Sequence, residues 1–121
     1  MIRVGIVCGG ISAEHEISCI SAGGILSAID RSKFEPVLIG ITKSGKWVLP
    51  PQNFKLEIVN GELPEISEDL PQTSLSQIEV DILFPTLHGT YGEDGGFQKD
   101  AQAAGIKYVG SGVHASQNGM D

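Results

Sequence analysis

The stretch V-G-I-V-C-G-G-I-S-A-E-H-E-I at residues 4–17 constrains the fold more than any other part of the chain. Residues 2–7 are short, apolar and rich in β-branched side chains, the composition of a strand buried on both faces. Gly9 and Gly10 follow, and paired glycines permit the sharp turn that a strand needs before a helix can begin. Past the turn the apolar period changes: Ile17, Ile20, Gly24, Ile25, Ala28 and Ile29 predict one stripe of a helix lying back on the strand. Ser12 is the predicted N-cap, which places Glu14 and Glu16 in the first turn, where the helix dipole favours negative charge. The expected product is a carboxylate-bearing helix start at the C-terminal end of the first strand, the edge at which open α/β sheets bind ligands.

Glycines after a first strand raise two nucleotide-binding possibilities, and neither fits. Gly5, Gly9 and Gly10 do not form G-x-G-x-x-G, and no G-x-x-x-x-G-K-[ST] run exists. Two acids in the helix's first turn would also repel a pyrophosphate placed there. An ammonium group suits that position better.

Further along, residues 34–42 read as a second strand with Pro36 near its start, and residues 43–46 as a turn into a short return strand at 47–49 that Pro50 and Pro51 stop. Trp47 is expected to pack as a lid on the sheet edge. Residues 52–79 carry scattered acids, Pro64, Pro71 and isolated apolar residues without a sustained period, which predicts a surface excursion without chemistry. Order returns at 80–84, an apolar strand bounded by Pro85, followed by a loop from Thr86 to Gly96 that contains four glycines and the acids Glu93 and Asp94. Residues 97–104 look helical with Gly105 as the stop, 106–109 read as a further strand, and a turn at 110–112 leads into a helix-like segment. Strands alternating with helices through short connections predict a parallel, right-handed βαβ sheet. The loops at 9–14, 88–95 and 110–112 all follow strands and should therefore gather on one edge.

One domain is the prior for 121 residues, and a 40% hydrophobic content suffices for a core. With 8 basic against 15 acidic side chains the formal charge is −7, and no Lys/Arg cluster stands out, so nucleic acid and anionic membrane surfaces are disfavoured as partners. The N-terminus enters a strand directly, without signal-peptide regions, and no apolar run approaches the roughly 20 residues of a spanning helix; the expected location is the cytoplasm. Cys8 and Cys19 are expected to be reduced packing residues, since two cysteines make no disulfide framework.

Physics alone leaves the candidate site residues with two readings each. Glu14 is either a first-turn acid worth about 0.3–1 kcal/mol through the dipole or a ligand-facing carboxylate. His88 is either a structural histidine or a polar contact in the crevice. Glu93 and Asp94 read as charge before a helix, and one such pair is weak support for a metal site, so no metal ligands are assigned.

Gly9-Gly10-x-Ser12-x-Glu14-x-Glu16-Ile17-Ser18, together with His88-Gly89-x-x-Gly92-Glu93-Asp94-Gly95-x-Phe97-Gln98, closely resembles the N-terminal domain of the D-alanine–D-alanine ligase family, and Gly110-Ser111-Gly112-Val113 with Met120-Asp121 resembles its passage toward the central domain. Lys99 and the polar run at 114–119 depart from the family's usual small residue and alanine-rich helix. The resemblance runs the whole length of the chain and implies a Rossmann-like (pre-ATP-grasp) α/β fold, an open, mainly parallel sheet flanked by helices. It implies that residues 1–121 are the substrate-binding N-terminal domain of a ligase in which ATP phosphorylates a first D-alanine and the amine of a second displaces phosphate, giving the dipeptide for peptidoglycan. By the same resemblance Glu14 holds the first D-alanine's ammonium, Ile17 lies against its small side chain, His88 lies near the same substrate, and Gly9, Gly10, Ser12, Gly89, Gly92 and Gly95 shape the loops. ATP and Mg²⁺ (or Mn²⁺) are expected in central and C-terminal domains that this chain lacks, with none bound by this part alone. A homodimer is expected from the family. A D-alanine–D-lactate type ligase and a stand-alone small-molecule binding module are the alternatives.

Overall fold

The computed structural model describes residues 1–11, 13–87 and 96–108, with backbone alone at 96–98. In chain order the elements are β1 (Ile2–Gly9), α1 (His15–Ala28), β2 (Phe34–Ile41), β3 (Trp47–Val48), a 3-10 turn (Leu75–Gln77), β4 (Ile82–Pro85), α2 (Gly96–Ala103) and β5 (Lys107–Tyr108). They form a five-stranded sheet in the order β3-β2-β1-β4-β5, parallel except for the antiparallel β2/β3 hairpin. The expected open, mainly parallel α/β sheet is what the chain forms.

β1 is central because its two faces feed two separate cores. Val4, Ile6 and Cys8 point to the α1 side and pack with Cys19, Ala22, Leu38 and Ile66. Val7 points to the other side and packs with Val37, Ile39, Leu83 and Ala101 of α2. The period of two along the strand thus places one helix on each face of the sheet.

Pro36 is the third residue of β2, and the sheet tolerates it for a visible reason. Two residues on, the Leu38 N–H donates to the Gln52 side-chain oxygen at 2.7 Å and the Leu38 carbonyl accepts from the same carboxamide at 3.3 Å. That phase of β2 faces away from β1, and β3 covers only Gly40 and Ile41. The missing N–H of Pro36 therefore falls on an uncovered edge, where a proline costs no ladder bond. At the other side of the molecule α2 ends as expected at Gly105, whose φ is +73°. The Gly105 N–H reaches the Gln102 carbonyl and the Ile106 N–H the Ala101 carbonyl, both at 3.0 Å, the paired bonds of a Schellman stop.

Two expectations need correction. The N-cap of α1 is Glu14, not Ser12, so the helix begins at His15 and Glu14 stands at its threshold instead of inside its first turn. The buried line of α1 is His15, Ser18, Cys19 and Ala22, while Ile17, Gly24 and Ala28 are exposed and Ile20, Ile25 and Ile29 only partly covered. The stripe is rotated because small and polar residues, not the isoleucines, fit the close approach to β1.

The segment 52–79 is also more than a surface excursion. It contributes Leu56, Ile66 and Leu75 to the cores, and it returns beside β3, with Leu49 N–H donating to Pro71 and Thr73 N–H to Trp47, each at 2.8 Å. Trp47 packs against the second core, as its predicted lid role requires.

Candidate functional site

The last residue of β1 and the one after it are positions that only glycine occupies comfortably. Gly9 has φ +95° and Gly10 φ +102°. A Cβ on Gly9 would lie 2.2 Å from the Ile41 carbonyl oxygen, so the position excludes every other residue by sterics as well as by φ. The Gly10 N–H then donates to that Ile41 oxygen at 2.8 Å, which keeps the turn fastened to β2 after the strand itself has ended.

A relay of buried hydroxyls ties the same turn to α1 and β4. The Gly9 N–H donates to Ser18 Oγ at 2.9 Å, Ser18 Oγ lies 3.2 Å from Thr86 Oγ1, and the Thr86 hydroxyl has the Val7 carbonyl at 2.9 Å and the Ser18 carbonyl at 3.1 Å to donate to. Ser18 is fully buried and Thr86 nearly so. Parallel pairing with the register Val7↔Pro85 sets the C-terminal ends of β1 and β4 side by side. A Cβ on Gly10 would sit 3.6 Å from Leu87 Cδ2. The loops that leave β1 and β4 therefore share one edge of the sheet.

His15 closes the loop that begins at Gly10. Its ring is fully buried; Nδ1 lies 2.7 Å from the Gly10 carbonyl oxygen and donates to it, while Nε2 accepts the Ile66 N–H at 2.9 Å. Burial favours the neutral ring, but the adjoining Cys19, the Gly10 carbonyl and Glu16 together outweigh it and raise the pKa above the usual value. In the observed geometry the ring is the neutral Nδ1–H tautomer all the same, because a proton on Nε2 would oppose the Ile66 N–H that points at it. Behind the ring, the contact between the Cys8 and Cys19 thiols pushes Cys8 up and pulls Cys19 down to about 6. Both are free and buried.

Glu14 stands at the entrance to this edge. Its backbone carbonyl accepts the Ser18 N–H at 3.0 Å, and its exposed side chain makes no capping bond to the helix. Glu16 is in the first turn as expected, but it is committed to Lys43 at 2.6 Å, a bond that holds its carboxyl below the usual range; Glu65 adds a second contact to Lys43 at 3.5 Å. Ile11 and Ile17, three residues before and after Glu14 in sequence, are 64% and 47% exposed. Of the remaining predicted site residues, Ser12, His88, Gly89, Gly92 and Gly95 lie outside the described residues, as do Glu93, Asp94 and the loop at 110–112.

The sequence reading missed His15, Ser18, Ile66 and Thr86 as site-building residues. His15 sits between two acids, a context that reads as solvent-facing, and Ile66 is an isolated apolar residue whose contribution is a backbone N–H. The one available signal was the i, i+3 spacing of His15 and Ser18, which puts two polar side chains on the same face as Cys19.

The described residues thus define an open α/β domain with an exposed carboxylate, Glu14, at the C-terminal end of its central strand. The family model for the D-ala D-ala ligase N-terminus matches residues 3–111. The D-alanine–D-alanine ligase of Mycobacterium bovis is 43% identical over 99% of this chain, which spans 38% of that relative's length. Among solved structures, the D-alanine–D-alanine ligase of Coxiella burnetii aligns with a TM-score of 0.70 at 32% identity, covering 90% of this chain and 35% of that one. The VanG D-Ala:D-Ser ligase of Enterococcus faecalis aligns at 0.65 and 26%, covering 89% and 35%. The Bacillus anthracis D-alanine–D-alanine ligase complexed with ATP aligns at 0.57 and 25%, covering 90% and 28%. This chain belongs to the D-alanine–D-alanine ligase family, as its N-terminal domain.

Proposed function

We propose that this chain forms the first-substrate part of an ATP-dependent ligase that joins two D-alanines into D-alanyl-D-alanine for peptidoglycan. In this reading Glu14 takes the ammonium of the first D-alanine, Ile17 lies against its methyl group, and His88 borders the same substrate. The observation that carries it is the placement of Glu14, an exposed carboxylate at the C-terminal edge of β1 on a turn fixed by buried hydrogen bonds. An ammonium held by a carboxylate keeps its proton and has no lone pair to attack with. The bound D-alanine then offers only its own carboxylate for activation, and the orientation of the first substrate follows from one charge pair.

The nucleotide does not fit this edge, because Glu14 at the cap and Glu16 in the first turn of α1 oppose a phosphate. Among the described residues no group of three or more His, Cys, Asp or Glu converges as a metal site. ATP, which activates the first substrate's carboxylate, and Mg²⁺ or Mn²⁺ belong in this reading to the remainder of the ligase chain. No helix among the described residues is long and apolar enough to cross a membrane. The reading places the ligase in the cytoplasm as a homodimer.

The similarity to a D-Ala:D-Ser ligase favours keeping the second substrate open, with D-alanine first and a D-lactate type ligase as the alternative. Product analysis with the intact ligase decides it. Incubated with Mg-ATP and D-alanine alone, it should release phosphate and D-alanyl-D-alanine in equal amounts, and added D-serine or D-lactate should not divert the product. A mixed product would assign the alternative, and no phosphate release with any of the three would remove the ligase reading.

A further inference from the structure

We infer that His15 is a positioning residue for the first-substrate site: by bridging the Gly10 carbonyl and the Ile66 N–H, it sets the turn that carries Glu14, and it recruits residues 65–66 into the site's support. The inference rests on the reading of Glu14 as the ammonium ligand and adds what holds that carboxylate in place. Gly10 is fixed at both ends of its peptide groups, its N–H by Ile41 at 2.8 Å and its carbonyl by His15 Nδ1 at 2.7 Å. His15 is the residue after Glu14, so its ring, reaching back five residues, closes the loop whose last member is the carboxylate. The ring in turn is held from 51 residues away, by the Ile66 N–H at 2.9 Å.

Ile66 is well placed to be that anchor. It is 1% exposed, and a Cβ on Gly9 would lie 3.2 Å from its Cγ1 and 3.0 Å from His15 Cε1. The glycine, the imidazole and the isoleucine are thus in mutual contact, and the absence of a side chain at Gly9 makes room for both. One residue earlier, Glu65 joins Lys43 at 3.5 Å, and Lys43 holds Glu16 at 2.6 Å. The two residues that follow Glu14 are therefore tied to the same two-residue piece of the 52–79 segment, His15 by a buried bond and Glu16 through Lys43. A carboxylate so braced meets the ammonium without first being ordered, and displacement of a binding group by about 1 Å can cost on the order of 100-fold.

The test is steady-state kinetics of the intact ligase that resolves the two D-alanine sites, with His15→Phe, His15→Asn and Glu14→Gln run side by side. His15→Phe keeps the ring volume and loses both hydrogen bonds; it should raise the first-site KM by about 10- to 100-fold while the second-site and ATP KM stay within about threefold. His15→Asn can still donate to Gly10 from nearly the Nδ1 position but cannot reach Ile66, and should fall between wild type and His15→Phe. Should His15→Phe fail to fold, His15→Asn decides alone: a selective rise of about threefold or more in first-site KM supports the role, and an unchanged first-site KM overturns it. If Glu14→Gln impairs the first site while neither His15 variant does, the positioning role falls and the ammonium reading stands. If Glu14→Gln leaves the first site untouched, that reading fails and takes the positioning role with it.

Discussion

Glu16 and Lys43 show how one surface pair near the site is readable as a pH dependence. The Lys43 ammonium 2.6 Å away lowers the Glu16 pKa from 4.5, and Glu16 raises that of Lys43. A carboxyl whose folded pKa is depressed adds stability that is complete above the unfolded value and disappears as pH falls through the folded one. The melting-temperature gap between wild type and Glu16→Gln should therefore be constant from about pH 7 down to about pH 5 and close below about pH 4. Both side chains are partly exposed, so added salt should narrow the gap at neutral pH. A gap that persists unchanged in acid would mean that the pair contributes nothing through its charge.

At the scale of elements, α1 is held by polar groups as much as by apolar ones. Ser18→Ala leaves the Gly9 N–H without its acceptor and removes a neighbour of the Thr86 hydroxyl, inside the core. Leaving a buried donor unsatisfied costs about 1–3 kcal/mol. Urea denaturation should show that loss with an unchanged m-value. Ser27→Ala on the same helix, where the hydroxyl is exposed and bonds the Gly23 carbonyl, should stay within about 0.5 kcal/mol of wild type. Equal losses in the two variants would contradict the relay. The same helix explains what was legible beforehand. β1, the Gly9–Gly10 turn and the Gly105 stop announce themselves through local chemistry, and the β2/β3 hairpin through its turn residues. The start and the buried face of α1 do not, since His15, Ser18 and Cys19 are buried because of partners on β1, β4 and at Ile66 that no local period encodes. Residues 52–79 were opaque for the same reason: Ile66 acts through a backbone N–H toward a residue 51 positions earlier.

Across the whole molecule, the parallel β1/β4 pairing converts two distant stretches of sequence into neighbours on one edge, with one core packed on each face of the sheet. The glycine turn, the hydroxyl relay and the His15 bridge all lie between β1 and the start of α1, where Glu14 stands. The chain spans 38% of the length of the Mycobacterium bovis relative, so this edge is read as one wall of a site that the rest of the ligase completes. The central claim is that the Glu14 carboxylate pairs with the first substrate's ammonium. Glu14→Gln in the intact ligase preserves shape and removes charge, so steady-state kinetics of that variant, paired with its thermal melt, tests the claim most directly. Truncating one partner of a desolvated charge pair costs about 2–5 kcal/mol, which predicts a loss of roughly 30- to several-thousand-fold in first-site affinity or kcat/KM with the melting temperature nearly unchanged. Normal first-site kinetics in Glu14→Gln would contradict the account and leave Glu14 as a helix-end acid whose dipole contribution is at most about 1 kcal/mol.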